Sequence, residues 1–313
     1  MNEFKIWETR RASERRLSPT LARRALVVLV AIAFPAAAHA QVTLAWKLDA
    51  GERFALEETV QSRQTIQLGT METRQDLDQT RQSRVSVLKK NPDGTLILEQ
   101  KIDKVKVQHG SDGPDANTKV LKQLEGASFW YHVDGKHKIV RVEGYDALVK
   151  QLAKDNRADA RLIRAVFTEE SCKRSVDTWL GFLPAGPVDK GKTWKSKSSL
   201  PLGPLGVMAI DATYKLADFN MKTQIATISF SGVGEYKAPA EDADLPLKVT
   251  AGSLRLPKYE GTITFNADKG RLIGLETKMS LQGKLTAAIR ETDMQLEITQ
   301  EQILIVKCGP AAP

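Results

Sequence analysis

The period of the apolar residues changes twice along this chain, and that change limits the fold more than any other feature. Between Gln41 and Gln108, Val85 and Val87 alternate with polar neighbours, and Leu96 and Leu98 resume the alternation after Asn91-Pro92-Asp93-Gly94. A period of 2 describes strands with one wet and one packed face, as in antiparallel sheets. Gly69-Thr70, Asn91 to Gly94 and Asp134-Gly135 carry turn residues and read as hairpin ends. The period then becomes 3.6. Tyr145, Leu148, Val149 and Leu152 fall at i, i+3, i+4 and i+7, one face of a helix. Leu162, Ile163, Val166 and Phe167 predict a second helix, and Val176, Trp179 and Leu180 a third. The third ends near Gly181, because Pro184 and Pro187 cannot continue it. Strands return after Thr193. Tyr214 and Leu216 lead to a turn at Asp218-Phe219-Asn220, Ile228 and Phe230 come back, and Thr262 to Leu275 repeats the hairpin plan. Met294, Leu296 and Ile298, then Ile303 and Ile305, close the chain as strands. The expected fold is α+β and mainly antiparallel, with two related curved sheets or one long sheet packed around central helices.

The N-terminus limits where such a fold works. Residues 1–24 hold seven Arg or Lys, Ala25 to Ala38 is an uncharged run of 14 residues, and Ala38-His39-Ala40 follows. That order is the basic region, apolar region and small-residue cleavage site of a secretory signal peptide, cut between Ala40 and Gln41. The run is shorter than the roughly 20 residues a spanning helix needs, which argues against an uncleaved membrane anchor. No cysteine follows the cut, which argues against a lipid anchor there. Arg23-Arg24-Ala25-Leu26 faintly resembles a twin-arginine signal, and the long basic region leaves the translation start open. The expected organisation is a signal peptide at 1–40, a first β half at 41–143, a helical segment at 144–183 and a second β half at 184–313. Export makes the periplasm or the cell exterior the expected location. Loss of residues 1–40 removes seven basic and three acidic residues and takes the net charge from +8 to +4. The remaining excess is spread along the strands without a basic stripe, so nucleic acid is not an expected partner. No later apolar run is long enough to span a membrane. In an oxidising compartment Cys172 and Cys308 can form a disulfide between the helical segment and the C-terminus, or remain two separate thiols; spacing does not decide.

The two halves look related. Leu48-Asp49-Ala50-Gly51-Glu52-Arg53-Phe54 matches Val188-Asp189-Lys190-Gly191-Lys192-Thr193-Trp194 in pattern, and VDGKHKIVRVEG is echoed by NADKGRLIGLET in the same order. These matches read as a diverged internal duplication. The second match contains a chemical decoy. Gly186 to Thr193, GPVDKGKT, spells the phosphate-binding string G-x-x-x-x-G-K-[ST]. That motif works only where a buried strand enters the loop and a helix leaves it. Here helical residues precede it, the following WKSKSSLP lacks helix periodicity, Pro187 removes one N–H donor, and the first half has Glu52 and Arg53 in place of Lys192 and Thr193. The segment therefore reads as a turn feeding a strand, and no nucleotide is expected.

Other candidates for chemistry are sparse. Of the histidines, His132 and His137 lie across the Asp134-Gly135 turn, but two imidazoles without a third ligand do not make a zinc site. Asp112, Asp115 and Asn117 offer oxygens at a spacing unlike that of a calcium loop, and His109-Gly110-Ser111-Asp112 packs its three polar groups too closely for a triad. Glu169 and Glu170 point to different sides of a helix and read as a solvated face. Trp46, Phe54, Trp130, Trp179, Phe182 and Trp194 can line an apolar pocket or fill a core. No metal, cofactor or catalytic residue is expected.

The signal peptide, LAWKLDAGERFALEETV, VSVLKKNPDGTLILEQKIDKVKV, the helical middle and LPAGPVDKGKTW together resemble an uncharacterised family of exported bacterial proteins, a domain of unknown function. A looser, fold-level likeness is to lipoprotein-carrier half-barrels, in which a curved sheet with helices in its concave face shelters acyl chains. The resemblance implies no activity. The expected function is non-enzymatic binding of an apolar ligand or an envelope component. A structural or assembly partner without a pocket is the alternative, and a hydrolase with a dispersed site has least support. If the signal reading holds, N-terminal sequencing of exported protein starts at Gln41; a start within residues 1–38 overturns it.

Overall fold

The computed structural model describes residues 41–109, 120–156, 160–240, 248–289 and 292–311. The expected signal peptide and Ala40, and the candidate oxygens of Asp112, Asp115 and Asn117, lie outside the described residues. Among the described residues, eleven strands and three α-helices follow in order: β1 (Arg53–Leu68), β2 (Met71–Lys90), β3 (Leu96–His109), β4 (Ser128–Val133), β5 (Ile139–Glu143), α1 (Tyr145–Asn156), α2 (Ala160–Val166), α3 (Glu169–Leu180), β6 (Thr193–Pro201), β7 (Val207–Asn220), β8 (Ile225–Lys237), β9 (Lys248–Asn266), β10 (Arg271–Ile289) and β11 (Thr292–Pro310). All strands join one open, curved antiparallel sheet in the order β5-β4-β3-β2-β1-β11-β10-β9-β8-β7-β6. One sheet, rather than two, holds both halves. The strands start at the sheet centre with β1, meander to the β5 edge, give way to the helices, and resume at the β6 edge. They then meander back until β11 pairs with β1, from Phe54 opposite Pro310 to Leu68 opposite Leu296.

The hairpins sit where the turn residues place them, with one shift. The turn expected at Asp218-Phe219-Asn220 lies beyond Asn220, because Asn220 Oδ1 accepts the N–H groups of Lys222 and Thr223 and so begins the turn itself. The C-terminal alternation is a single 19-residue strand, β11. Residues 41–48 alternate as a strand does, burying Val42, Leu44, Trp46 and Leu48, yet they join no ladder of the sheet; Val42 makes an isolated bridge to Val188 and Lys47 N–H bonds to Gly270 O at 3.1 Å.

The segments that open the two halves form the same turn. Gly51, at φ 89°, donates to Val87 O at 2.8 Å, and Val87 N–H returns to Glu52 O at 2.9 Å. Gly191, at φ 87°, donates to Leu216 O at 2.7 Å, and Leu216 N–H returns to Lys192 O at 3.0 Å. A register shift follows each, between Val87 and Lys89 on β2 and between Leu216 and Asp218 on β7.

The inner face of the sheet is covered by the helices. Leu148, Val149 and Leu152 of α1 and Cys172, Val176, Trp179 and Leu180 of α3 are all buried, one stripe on each helix. Each large apolar side chain so buried contributes about 1.5–3 kcal/mol. α3 starts at Thr168, whose Oγ1 accepts the Ser171 N–H at 3.0 Å, a cap worth about 1 kcal/mol. It lies against both sheet edges, β5 on one side and β6 on the other. Strong curvature needs close approach between strands, and Gly261 shows why. A Cβ there would overlap the Glu276 carbonyl oxygen and the Phe230 ring. Gly261→Ala should therefore lower stability by about 3 kcal/mol through overpacking. Gly191→Ala, which meets open space but requires a positive φ, should cost only about 1 kcal/mol. Thermal unfolding of the two variants tests that order; equal losses would contradict it.

Candidate functional site

A cleft runs along the inner face of the sheet beneath α3. Its floor is built by register. One row of paired residues crosses six strands as Tyr214, Phe230, Gly261, Thr277, Leu304 and Val60, from β7 through β1. Beside it, Tyr259, Met279 and Gln302 form a second row across β9, β10 and β11. The roof is the face of α3 that carries Ser171, Arg174, Ser175 and Thr178. Two arms of about 250 Å³ and 330 Å³ share Arg174, Thr178, Tyr259 and Thr277. The first arm is walled by Val60, Leu200, Met279 and Leu304, and the second by Ile139, Tyr214, Phe230 and Leu275. Two glycines deepen the floor, since the Phe230 ring fills the space above Gly261 and the Tyr259 ring the space above Gly232. Tyr214, Phe230 and Tyr259 follow one another at 5.3 and 5.6 Å between centroids, an aromatic shelf.

The polar groups around the cleft are mostly committed. Arg81 donates through Nε and Nη2 to Glu58 Oε2 at 2.8 and 2.6 Å, so this inner pair is neutral overall. Ser175 Oγ donates to Cys172 O and Thr178 Oγ1 to Arg174 O, both within the helix. Arg174 Nη2 donates to Tyr259 Oη at 2.9 Å. Thr277 Oγ1, although buried, has no hydrogen-bond partner among the described residues. Asp177 accepts the Ile139 N–H and so ties α3 to the β5 edge. Burial pushes its carboxyl above the ordinary range, against the opposing pull of Arg174, Ile139 and Lys138.

The residues singled out in the sequence take mainly structural places. Trp46 lies at the centre of an edge-to-face cluster with Trp179, Phe182 and Phe265, at 6.1, 6.0 and 5.3 Å, and Phe54 packs on Trp179 at 5.9 Å. These rings fill the core. Trp46 Nε1 donates to Leu180 O at 2.9 Å and Trp194 Nε1 to Phe182 O at 2.8 Å, so each half sends one indole to the C-terminal end of α3. Trp194 also stacks on Tyr214, whereas Trp130, on β4, is only half-buried. The GPVDKGKT segment enters β6 with no helix after it, and its Val188, Gly191 and Lys192 N–H groups bond to Val42, Leu216 and Asp189 carbonyls. They are spent within the fold, and Lys190 pairs with Asp218.

His132 and His137 do not meet as a pair. His132 Nε2 lies 2.7 Å from Glu143 Oε1, while His137 occupies a left-handed turn position at φ 61°. His109 ends β3. Glu169 and Glu170 both pair with Lys173, at 3.0 and 2.7 Å, on the outer side of α3. The bridge raised between Cys172 and Cys308 is not made, and both are free thiols. Cys172 lies on α3 with Arg81, Gln100, Phe129 and Tyr131, over β2 to β4, whereas Cys308 pairs opposite Leu56 on β11. Burial pushes the Cys172 thiol up to about 12 and the Cys308 thiol up to about 11, which suppresses the thiolate at both. Among the described residues no three His, Cys, Asp or Glu gather as a metal site, and no helix is long and apolar enough to cross a membrane. Sequence reasoning missed Arg174, Tyr259 and Thr277. The signal for Tyr259 and Thr277 was a polar group at an inward strand position, which cannot be read before the register is known, and Arg174 reads as an ordinary helix charge until packing sets it over them.

Because burial raises the Asp177 value, its share of stability is greatest below the ordinary carboxyl range and is lost as pH rises through the folded value. Asp177→Asn keeps an oxygen for Ile139 N–H and removes the charge. It should unfold at a higher temperature than the parent at about pH 7, with the gap closing below about pH 4. A variant that is less stable at every pH would contradict this.

No curated protein matches the chain. Among solved structures, one concerned with lipid–protein interactions in lipovitellin is similar at a TM-score of 0.44 and 11% identity, over 85% of this chain. The chain spans about a quarter of that protein, 26% of its length. Residues 97–292, more than half of the sequence, match the family described as "Family of unknown function (DUF6263)", and the chain belongs to that family.

Proposed function

We propose that this is an exported, non-enzymatic binding protein of the cell envelope, acting in the periplasm or at the cell exterior, whose ligand has an apolar body and lodges in the cleft under α3. The observation that carries the reading is the cleft itself. It is a recess on the packed face of the sheet, walled by Val60, Leu200, Met279 and Leu304 and floored by an aromatic shelf, and it stays open although the rest of that face is filled. Pockets that combine apolar walls with a few convergent polar groups are the usual form of ligand sites. The Ser175 and Thr178 hydroxyls bond to helix carbonyls and that of Ser171 to Thr168 Oγ1, none of them to a base, which supports binding over hydrolysis. The order of basic, apolar and small residues in 1–40 supports export. The matched turns at Gly51 and Gly191 support descent of the halves at 41–143 and 184–313 from one duplicated unit, joined by the helical segment at 144–183.

A second reading, an assembly partner that needs no pocket, draws on the tightness of the remaining core, where Val149, Leu152, Val176 and Leu180 are each 0% exposed. The two readings separate in one experiment. Native mass spectrometry of protein recovered from the envelope should show a co-purifying amphiphile, and Thr178→Phe, which fills both arms, should remove it without lowering the unfolding temperature. No co-purifying molecule, together with one dominant protein recovered by crosslinking, would favour the assembly reading.

A further inference from the structure

Where its two arms meet, the cleft brings together a half-buried guanidinium, Arg174, and a buried hydroxyl without a partner among the described residues, that of Thr277. Arg174 is half-buried on α3 and makes no ion pair with an Asp or Glu among the described residues; its hydrogen bond goes to Tyr259 Oη at 2.9 Å. Of the acids nearby, Glu58 is bound to Arg81 through two hydrogen bonds, while Asp177 takes the Ile139 N–H at the β5 edge and feels the charge of Arg174 without forming an ion pair with it. Below Arg174, Thr277 on β10 is 7% exposed and its Oγ1 has no partner among the described residues, although it lines both arms. Its neighbours in the register row are Gly261 and Leu304, neither of which offers a polar side chain. Buried hydroxyls are nearly always hydrogen-bonded, and one that is not calls for an explanation. A part-buried guanidinium that makes no ion pair among the described residues can still take an anion, since one beside it is attracted far more strongly than in open water.

We propose that the cleft selects amphiphiles with an anionic head, a carboxylate or a phosphate, which accepts hydrogen bonds from the Arg174 guanidinium and the Thr277 hydroxyl while its tail runs along Val60, Leu200, Met279 and Leu304. This rests on the ligand-binding reading above and adds the chemistry of the head. Charge-assisted hydrogen bonds are about twice as strong as neutral ones. Tyr259 serves as a positioning residue, because its hydroxyl fixes the direction of the guanidinium.

The test titrates the exported chain with palmitate, hexadecyl phosphate, hexadecanol, acetate and inorganic phosphate. Tryptophan fluorescence follows each titration, with Trp194 stacked 5.9 Å from Tyr214 on the shelf as reporter. Palmitate or hexadecyl phosphate should bind about tenfold or more tightly than hexadecanol. Arg174→Gln should bring the anionic probes down to the level of hexadecanol and leave hexadecanol unchanged, while Arg174→Lys keeps part of the preference. Thr277→Val should weaken only the anionic probes, by a few fold, and it carries the same comparison if Arg174→Gln proves unstable. Equal binding of palmitate and hexadecanol overturns the anionic head and leaves the ligand cleft standing. Failure of all three long-chain probes overturns the cleft reading and this inference together. Binding of acetate or inorganic phosphate as tight as that of palmitate overturns the amphiphile and points to a site for a free anion.

Discussion

The structure depends on α3 lying between the two open edges of its sheet. Eleven antiparallel strands that begin and end at the sheet centre leave β5 and β6 as edges, and unpaired edges are a liability unless covered. α3 meets both. Asp177 takes an N–H from β5, while the indoles of Trp46 and Trp194 close the carbonyls at the helix end. Trp179 and Phe182 then join Trp46, Phe54 and Phe265 in one aromatic core. The helix supplies core, edge cover and cleft roof at once, which is why the polar stripe of α3 rather than its apolar one faces the cleft.

The central seam carries a different constraint. β1 and β11 pair along their length although they lie at opposite ends of the described chain. Contacts so distant in sequence require loop closure before they return any free energy, and they slow folding. Local signals offset some of that difficulty. The turns at Gly51 and Gly191 make the same hydrogen bonds, and each anchors its half to the neighbouring strand before the seam is reached.

Much of the fold was legible in the residues. Hairpin ends at Gly69, at Asn91 to Gly94 and at Asp134-Gly135, and the three helices with their end at Gly181, follow from backbone chemistry that acts within a few residues. The cleft was not legible. Thr277 reads as one more strand threonine, and Arg174 as an ordinary charge on a helix. They come together only because register places Gly261, Thr277 and Leu304 in one row and helix packing sets Arg174 above it. The reverse holds for GPVDKGKT, which carries the right letters but whose N–H groups are taken by Val42, Leu216 and Asp189.

The sequence alone determined the class of fold, the positions of most turns and helices, and the likeness between the two opening turns, because periodicity, glycine and proline act locally. Only the tertiary structure decided that both halves share a single sheet, that Cys172 and Cys308 stay apart, and that a cleft remains under α3 with an arginine bonded to Tyr259 but in no ion pair among the described residues. Those outcomes depend on strand register and on which edges a helix covers. Both are settled by packing among distant residues that no local pattern records.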